Sequence, residues 1–160
     1  MTNIKTNAMR ILEQMKIDYN AITYSNNDGK IDGISVSEKI DRELKFVYKT
    51  LVVQGHSKNI YVFLLPVAEE LDLKKAAKIA GEKSIEMIPV KDISKITGYI
   101  RGGCSPIGMK KIYKTFIDKS ALEIDKIIVS GGKIGVQIEL ETSKLIEVCH
   151  GEVGGFTIIK

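Results

Sequence analysis

A lysine inside an otherwise apolar segment is the first candidate for chemistry in this chain. Lys49 lies within 46–53, a run of aromatic and β-branched residues typical of a strand. By the two-residue strand period Leu51 and Val53 share its face, where an ammonium needs water or a polar partner. There it could donate a hydrogen bond to a carbonyl or phosphate, or act as a base with a lowered pKa. The pattern alone favours the alternative, with Lys49 facing solvent and Tyr48 inward.

A glycine-rich loop is the second candidate. The segment Thr97–Gly108 holds four glycines and one proline, and two of the glycines, Gly102 and Gly103, are adjacent. Glycines can adopt positive φ and leave backbone N–H groups uncovered, so a phosphate, a sugar edge or a carbonyl oxygen could approach closely. The other interpretation is a connecting turn, since tight turns also use glycine pairs.

Cys104 and Ser105 in this loop raise the question of a protein nucleophile. A catalytic cysteine needs a base or an electropositive site to form the thiolate. The chain has two histidines, His56 and His150, and nothing in the sequence places either near Cys104. The residues therefore favour a small cysteine packed beneath the glycines and a Ser105 hydroxyl that binds a ligand or its own backbone.

The remaining motifs indicate neither a metal nor a cofactor. Cys149 and His150 are adjacent, but no other histidine or cysteine lies nearby, so they make a poor zinc site. The acidic residues are scattered, without the spacing of a magnesium site. The glycines of 131–135 lack the spacing of a phosphate-binding loop and predict a hairpin turn.

Length and composition limit the function classes. The 160 residues predict one domain over 1–160, with 44% hydrophobic and 28% charged residues. A net charge of +4 is small for a dedicated DNA binder but compatible with contact to one end of an RNA. No apolar run is long enough for a membrane span, and residues 1–5 lack the layout of a secretion signal, so we expect a cytoplasmic protein with two free cysteines.

The elements that must position these residues follow from periodicity and turn signals. Helices are predicted over 5–15 with Thr6 or Thr2 as cap, from Ser35, over 73–80 with Asp72 as cap, over 90–97 and over 142–149. Strands are predicted over 18–24, 46–53, 60–65, 85–88, 112–116, 127–130, 136–140 and 153–159. This order predicts an α+β fold around a mixed, largely antiparallel sheet.

Several segments together resemble a known family. The chain resembles the YbaK group of bacterial aminoacyl-tRNA deacylases, also called the prolyl-tRNA-synthetase-associated editing domain family. The matching segments occur in family order and cover nearly the whole chain. They are Lys5–Ala8, Val47–Val52, Leu71–Lys75, Thr97–Gly108 and Val129–Gly135.

The resemblance implies a fold, an activity and a site. The fold is a single domain whose sheet curls into an open barrel with flanking helices. The activity is removal of a wrongly attached amino acid from the 3′ acceptor end of a tRNA, typically cysteine from tRNA(Pro), in association with prolyl-tRNA synthetase. The essential lysine falls on Lys49. Thr50 lies beside it, the pocket glycine falls on Gly102 and a strand tyrosine falls on Tyr24, and we add as candidate substrate-binding residues Gly103, Ser105, Ser130, Gly131 and Gln137.

One position departs from the family pattern and bears on the mechanism. Gln137 stands where some family members have an aspartate, and an amide can hydrogen-bond but cannot carry charge. Because no protein nucleophile stands out, the resemblance implies that the substrate's own thiol attacks its ester. The alternatives are an Ala-tRNA(Pro) hydrolase of the same family and a non-catalytic module that binds tRNA ends or a nucleotide.

Overall fold

Two β-sheets form the framework of the structure, a computed structural model in which residues 5–159 are described. One sheet has three strands in the order β1-β7-β6, and the other has five in the order β4-β2-β3-β5-β8. The strands are β1 Tyr19–Thr23, β2 Tyr48–Gly55, β3 Ile60–Pro66, β4 Ile85–Met87, β5 Lys114–Asp118, β6 Lys126–Lys133, β7 Val136–Glu141 and β8 Glu152–Gly154.

The pairing of the strands is largely antiparallel, as predicted. The exceptions are β3 with β5 and β5 with β8, which are parallel. The two sheets take the place of the single curled sheet that the sequence predicted, and a parallel bridge between Val47 and Ile128 connects them. The α+β class is confirmed, and the framework is a pair of joined sheets.

A small apolar cluster fixes the junction between the sheets. Val47 and Ile128 are each 1% exposed, and Val67 packs against them. The Val67 N–H also donates a hydrogen bond of 2.9 Å to the Val47 carbonyl. Burial of these branched side chains stabilises the contact by roughly 1.5–3 kcal/mol for each residue. The first residues of β2 are therefore held where the sheets meet.

Residues 5–159 contain five α-helices and two short 3-10 helices, Leu44–Phe46 and Lys119–Glu123. The α-helices are α1 Asn7–Gln14, α2 Gly33–Lys39, α3 Leu73–Ala80, α4 Val90–Thr97 and α5 Thr142–Cys149. The predicted caps Thr6 and Asp72 both accept hydrogen bonds from the first turns of their helices, and Gly81 ends α3 at a φ of 74°. No helix in the described range exceeds eight residues, far short of a membrane span.

Several element boundaries differ from the prediction, including those of α2, β5 and the C-terminal tail. Helix α2 begins before Ser35, because Asp32 accepts a hydrogen bond from the Ser35 N–H and caps the helix there. Strand β5 begins at Lys114, since Ile112 has strand propensity but lies 87% exposed outside the sheet. Residues 152–154 pair with β5, so only the start of the extended tail predicted over 153–159 lies in this sheet. The possible cap Thr2 lies outside the described residues.

Shortening a buried side chain at the junction between the sheets should destabilise the protein. We expect Ile128→Ala to lower the free energy of unfolding by about 2–5 kcal/mol, because it leaves a cavity between the sheets. Ile112→Ala removes the same atoms from an exposed position and should change stability by less than about 0.5 kcal/mol. Urea unfolding of the two variants measures both values. Equal losses in the two variants would contradict the role given to the junction.

Candidate functional site

A small cavity opens where the two sheets join. Its volume is about 150 Å³, and a cavity of this size holds a molecule the size of benzene. Strands β2, β6 and β7, helix α2 and the glycine-rich loop all contribute to its wall. The lining residues are Ile31, Gly33, Val36, Val47, Tyr48, Lys49, Thr50, Val67, Gly102, Cys104, Ser130 and Gln137.

Lys49 and Thr50 come to the cavity because β2 begins at the junction. Lys49 is half-buried and lines the cavity, so it does not lie on the open solvent face that the strand pattern favoured. The Thr50 Oγ1 is buried, and the described structure offers it no hydrogen-bond partner. A buried hydroxyl without a partner is costly, and such groups in native proteins call for a structural or functional explanation. The cavity thus holds one cationic donor and one unoccupied hydroxyl.

Strands β6 and β7 place Ser130 and Gln137 opposite each other. The two residues are direct partners in the antiparallel register, so their side chains lie on the same face of the sheet. Gln137 is 6% exposed. The Ser130 Oγ accepts a hydrogen bond of 3.3 Å from the Gly132 N–H, which orients the hydroxyl within its own turn. This wall is polar and uncharged.

In the glycine-rich loop, Gly102 lines the cavity, while Gly103 packs against the backbone of the second glycine-rich turn. Gly102 has a φ of +85°, which favours glycine, and a Cβ there would lie 2.7 Å from the terminal methyl of Ile31, so a larger residue would also have to displace that side chain. A Cβ on Gly103 would lie 3.0 Å from the Ile134 backbone nitrogen. The Gly103 N–H donates to the Ile100 carbonyl at 2.9 Å. Close packing of the two glycine-rich turns therefore fixes the loop.

Four predicted binding residues do not line the cavity: Tyr24, Gly103, Ser105 and Gly131. Ser105 is fully buried, and its Oγ accepts a hydrogen bond of 3.3 Å from the Ile107 N–H. Gly131 lies at the irregularity of β6, where a Cβ would meet the Val136 side chain at 2.8 Å. Ser105 and Gly131 thus shape the two turns that border the site.

Tyr24 lies beside the loop that carries Ile31 into the wall. Its hydroxyl is buried without a hydrogen-bond partner in the described structure, and the Lys39 Nζ lies 5.8 Å from its ring centroid. Lys39 holds this loop through its Nζ, which donates to the Ser25 and Lys30 carbonyls and to the Asp28 carboxylate at 2.7–2.8 Å. The loop is therefore anchored at three points.

Cys104 lines the cavity but is a poor nucleophile. Burial raises the pKa of its thiol to about 11, so the thiol stays protonated at neutral pH. No histidine lines the cavity, and His56 and His150 are both exposed elsewhere in residues 5–159. The described residues also contain no group of three or more acidic, histidine or cysteine side chains that could hold a metal. Nucleophilic catalysis by the protein thus has no support here.

Sequence reasoning missed the apolar part of the wall. Ile31 lies in the loop before α2, Val36 lies on α2 and Val67 follows β3, and the fold brings all three to the cavity wall beside Val47. In the sequence they resemble any other core residues. The fold explains Gly33, because a Cβ there would lie 2.4 Å from the Val67 Cγ1, but no strand or helix pattern in the sequence indicates this contact.

A second, larger groove lies on the other side of the glycine-rich loop. It has a volume of about 390 Å³ and includes Met15, Ile112 and His150. Lys49, Thr50 and Gln137 do not reach it. As a ligand-binding site, this groove has the larger volume, but the cavity at the junction has the cationic donor Lys49 and the unpartnered hydroxyl of Thr50.

Similarity to known proteins assigns this chain to a family. A model of the aminoacyl-tRNA editing domain matches residues 34–148. The chain is 42% identical over 156 residues to an Enterococcus faecalis protein named as the Cys-tRNA(Pro)/Cys-tRNA(Cys) deacylase EbsC, with 98% of this chain and 95% of that protein covered. The chain therefore belongs to the aminoacyl-tRNA editing domain family, as its motifs predicted.

Solved structures of low sequence identity share the fold. A crystal structure of a hypothetical protein superposes with a TM-score of 0.86 at 16% identity, covering 95% of this chain and 99% of that one. Another, described as a trans-editing enzyme for prolyl-tRNA synthetase, gives a TM-score of 0.81 at 17% identity, covering 98% of this chain and 100% of that one. The arrangement of two joined sheets is thus found in proteins with very different sequences.

The protonated state of Cys104 predicts slow alkylation. At a pKa of about 11, the thiolate fraction near neutral pH is about 100-fold lower than for a thiol of ordinary pKa 9.0. Because the pKa is raised, the rate of reaction with iodoacetamide should increase about tenfold per pH unit from pH 7 to 9.5 without levelling off. Mass spectrometry of the native protein measures this rate. A plateau below pH 9 would contradict the assignment.

Proposed function

We propose that the protein is a trans-acting aminoacyl-tRNA deacylase that removes cysteine from mischarged tRNA(Pro), and from tRNA(Cys) as well. One observation carries the proposal: a lysine and an unpartnered hydroxyl line a small cavity that contains no activated protein nucleophile. The name of the Enterococcus relative supports the same substrates. The enzyme acts in the cytoplasm, and its substrate is the 3′ acceptor end of the tRNA.

The size of the cavity sets what enters it. A volume of about 150 Å³ accommodates a small acyl group but not the terminal adenosine as well. The ribose and base therefore lie at the mouth, near the glycine-rich loop at Gly102. In this pose the ester carbonyl lies within reach of the Lys49 ammonium, which can donate a hydrogen bond.

The protein contributes orientation and charge, and the substrate contributes the nucleophile. The sulfur of the cysteinyl group attacks its own ester carbonyl, a C–S bond forms and the bond to the ribose oxygen breaks. The thiol loses its proton and the departing ribose oxygen gains one, so the products are tRNA with a free 3′ hydroxyl and a cyclic thioester. Lys49 stabilises the negative charge that develops on the carbonyl oxygen. This stabilisation is the main contribution that the protein makes to catalysis.

The small positive charge of the chain bears on whether it binds tRNA alone or with a partner protein. A net charge of +4 gives limited affinity for a whole tRNA. We propose that prolyl-tRNA synthetase, which releases the mischarged tRNA, supplies the rest through a transient complex. A structural neighbour described as a trans-editing enzyme for that synthetase agrees with this proposal.

If the substrate thiol is the nucleophile, the rates of deacylation should follow a definite order among aminoacyl-tRNAs. Cysteinyl-tRNA(Pro) should lose its acyl group at least 100-fold faster than seryl-tRNA(Pro), which differs by oxygen in place of sulfur and fits the same cavity. Alanyl- and prolyl-tRNA(Pro) should be stable because neither carries a thiol. Release of labelled amino acid measures all four rates. Rapid release of alanine would favour the Ala-tRNA(Pro) hydrolase instead, and binding without any release would favour a non-catalytic module.

Lys49 should be required for catalysis and dispensable for folding. Removing one donor to a developing oxyanion costs about 100- to 1000-fold in kcat, so we expect Lys49→Ala to lose that much activity on cysteinyl-tRNA(Pro). Lys78→Ala is the matched control, because Lys78 is exposed on α3, which contributes nothing to the cavity. Circular dichroism and urea unfolding check the fold. A fully active Lys49→Ala enzyme would refute the assignment.

A further inference from the structure

The positive charge of the chain is concentrated in one segment beside the cavity. Residues 90–113, which comprise α4, the glycine-rich loop and the five residues after it, form what we call the basic segment. Its charged residues are Lys91, Asp92, Lys95, Arg101, Lys110 and Lys111. The whole chain has 24 basic and 20 acidic residues, so the residues outside this segment carry 19 of each sign. The net charge of +4 is therefore the charge of the basic segment.

No carboxylate neutralises these basic side chains. All five are exposed, and none forms an ion pair within residues 5–159. Lys91 and Lys95 lie four residues apart on one face of α4, a spacing at which like charges repel. The Lys110 Nζ donates a hydrogen bond of 3.2 Å to the Lys95 carbonyl, so a third ammonium lies on the same surface. Asp92 lies in the first turn of α4, where the helix dipole favours a carboxylate.

The basic segment adjoins the cavity at the glycine-rich loop. Arg101 precedes Gly102, which lines the cavity, and Lys111 lines the larger groove on the other side of the loop. A Cβ on Gly103 would lie 3.1 Å from the Lys133 Cα, so the exposed Lys133 adds a further positive charge from the second glycine-rich turn. Positive charge thus extends from the cavity along the loop to α4.

Acidic residues lie beside other parts of the cavity wall. Glu38 follows Val36 by two residues on α2, and Glu69 follows Val67 by two residues after β3. Asp118 ends β5, and its Oδ1 is buried without a hydrogen-bond partner among the described residues. The surroundings of the cavity are therefore basic at the glycine-rich loop and acidic toward α2 and the ends of β3 and β5. A polyanion is attracted to the loop side and repelled from the other.

A surface of exposed basic side chains without counter-charges suits a row of phosphates, because phosphate binding releases condensed counter-ions. We infer that the basic segment binds the phosphates next to the 3′ end of the tRNA, so that the acceptor arm extends from the cavity across the glycine-rich loop and α4. Helix α4 has eight residues and is about 12 Å long, so this surface reaches only the nucleotides nearest the ester. The inference rests on the proposed function, since it concerns the substrate of the same cavity.

Two matched triple variants test the inference. One is Lys95→Gln/Arg101→Gln/Lys111→Gln in the basic segment. The control is Lys74→Gln/Lys78→Gln/Lys83→Gln, which removes the same charge from exposed positions on and after α3. The control region, 69–86, holds four basic and five acidic residues, and none of it lines the cavity.

Three cysteine esters locate the contact: cysteinyl-tRNA(Pro), a cysteinylated RNA hairpin that reproduces only its acceptor arm, and the cysteine ester of adenosine, which has no phosphate. Rates of cysteine release are measured without prolyl-tRNA synthetase. At about 0.1 M salt the basic-segment variant should lose about 10- to 100-fold in kcat/KM on the tRNA and on the hairpin alike. Its kcat/KM on the adenosine ester should stay within about twofold of the wild type, because that ester offers no phosphate to bind. The control variant should match the wild type on all three.

The salt dependence gives a second readout. Each phosphate contact contributes about 0.7 to 0.9 to the slope of log kcat/KM against log salt concentration, so the basic-segment variant should flatten the slope on the hairpin by about two to three. Circular dichroism checks that the variants are folded. If the triple variant does not fold, Arg101→Gln alone should flatten the slope by about 0.7 to 0.9. An unchanged slope in a folded variant overturns the inference, even if the adenosine ester is a poor substrate.

The other outcomes separate this inference from the proposed function. Equal losses in the two triple variants would show a general charge effect, and a loss on the tRNA without a loss on the hairpin would place the contact elsewhere. A loss seen only after prolyl-tRNA synthetase is added would assign the basic segment to an acidic protein surface. Each of these results overturns the inference and leaves the deacylase function intact. Cleavage of none of the three esters by the wild type overturns the function and the inference with it.

Discussion

The contact between Val47 and Ile128 is the constraint on which the rest of the structure depends. It joins a three-stranded and a five-stranded sheet at one bridge, and the Val67 side chain packs against both residues. The cavity lies beside this contact, since Val47 and Val67 are both part of its wall. Lys49, two residues beyond Val47, then lies in the cavity wall by the geometry of the strand alone. The site is a product of the way the sheets meet.

The chemistry of the cavity is sparse, and that sparseness suits a substrate that brings its own nucleophile. An aminoacyl ester is already activated, so a site that orients it and places one cation near the carbonyl can accelerate its cleavage. A thiol or hydroxyl activated by the protein would attack esters with less discrimination. The protonated Cys104 thiol and the Ser130 hydroxyl, which accepts a hydrogen bond from the Gly132 N–H, agree with the proposal that the substrate supplies the nucleophile.

Much of the framework could be predicted from the sequence, and the shape of the site could not. Helix α3 has strong local signals in Asp72 and Gly81, and its bounds were predicted correctly. The motifs around Lys49 and Gly102 indicated the family and two sides of the cavity. The sequence did not indicate that the strands form two sheets, because the Val47–Ile128 bridge pairs residues 81 apart with no turn to link them. For the same reason the apolar wall and the supporting role of Gly103 became visible only in the fold.

A structure of the complex with a stable substrate analogue tests the central claim most directly. The suitable ligand is adenosine that carries cysteine through an amide, in place of the ester, at its 3′ position. We predict that its acyl group occupies the cavity at the sheet junction, with the carbonyl within hydrogen-bond distance of the Lys49 Nζ and the adenosine outside. An acyl group bound in the groove near Met15 and Ile112, with Lys49 away from the ligand, would contradict the account.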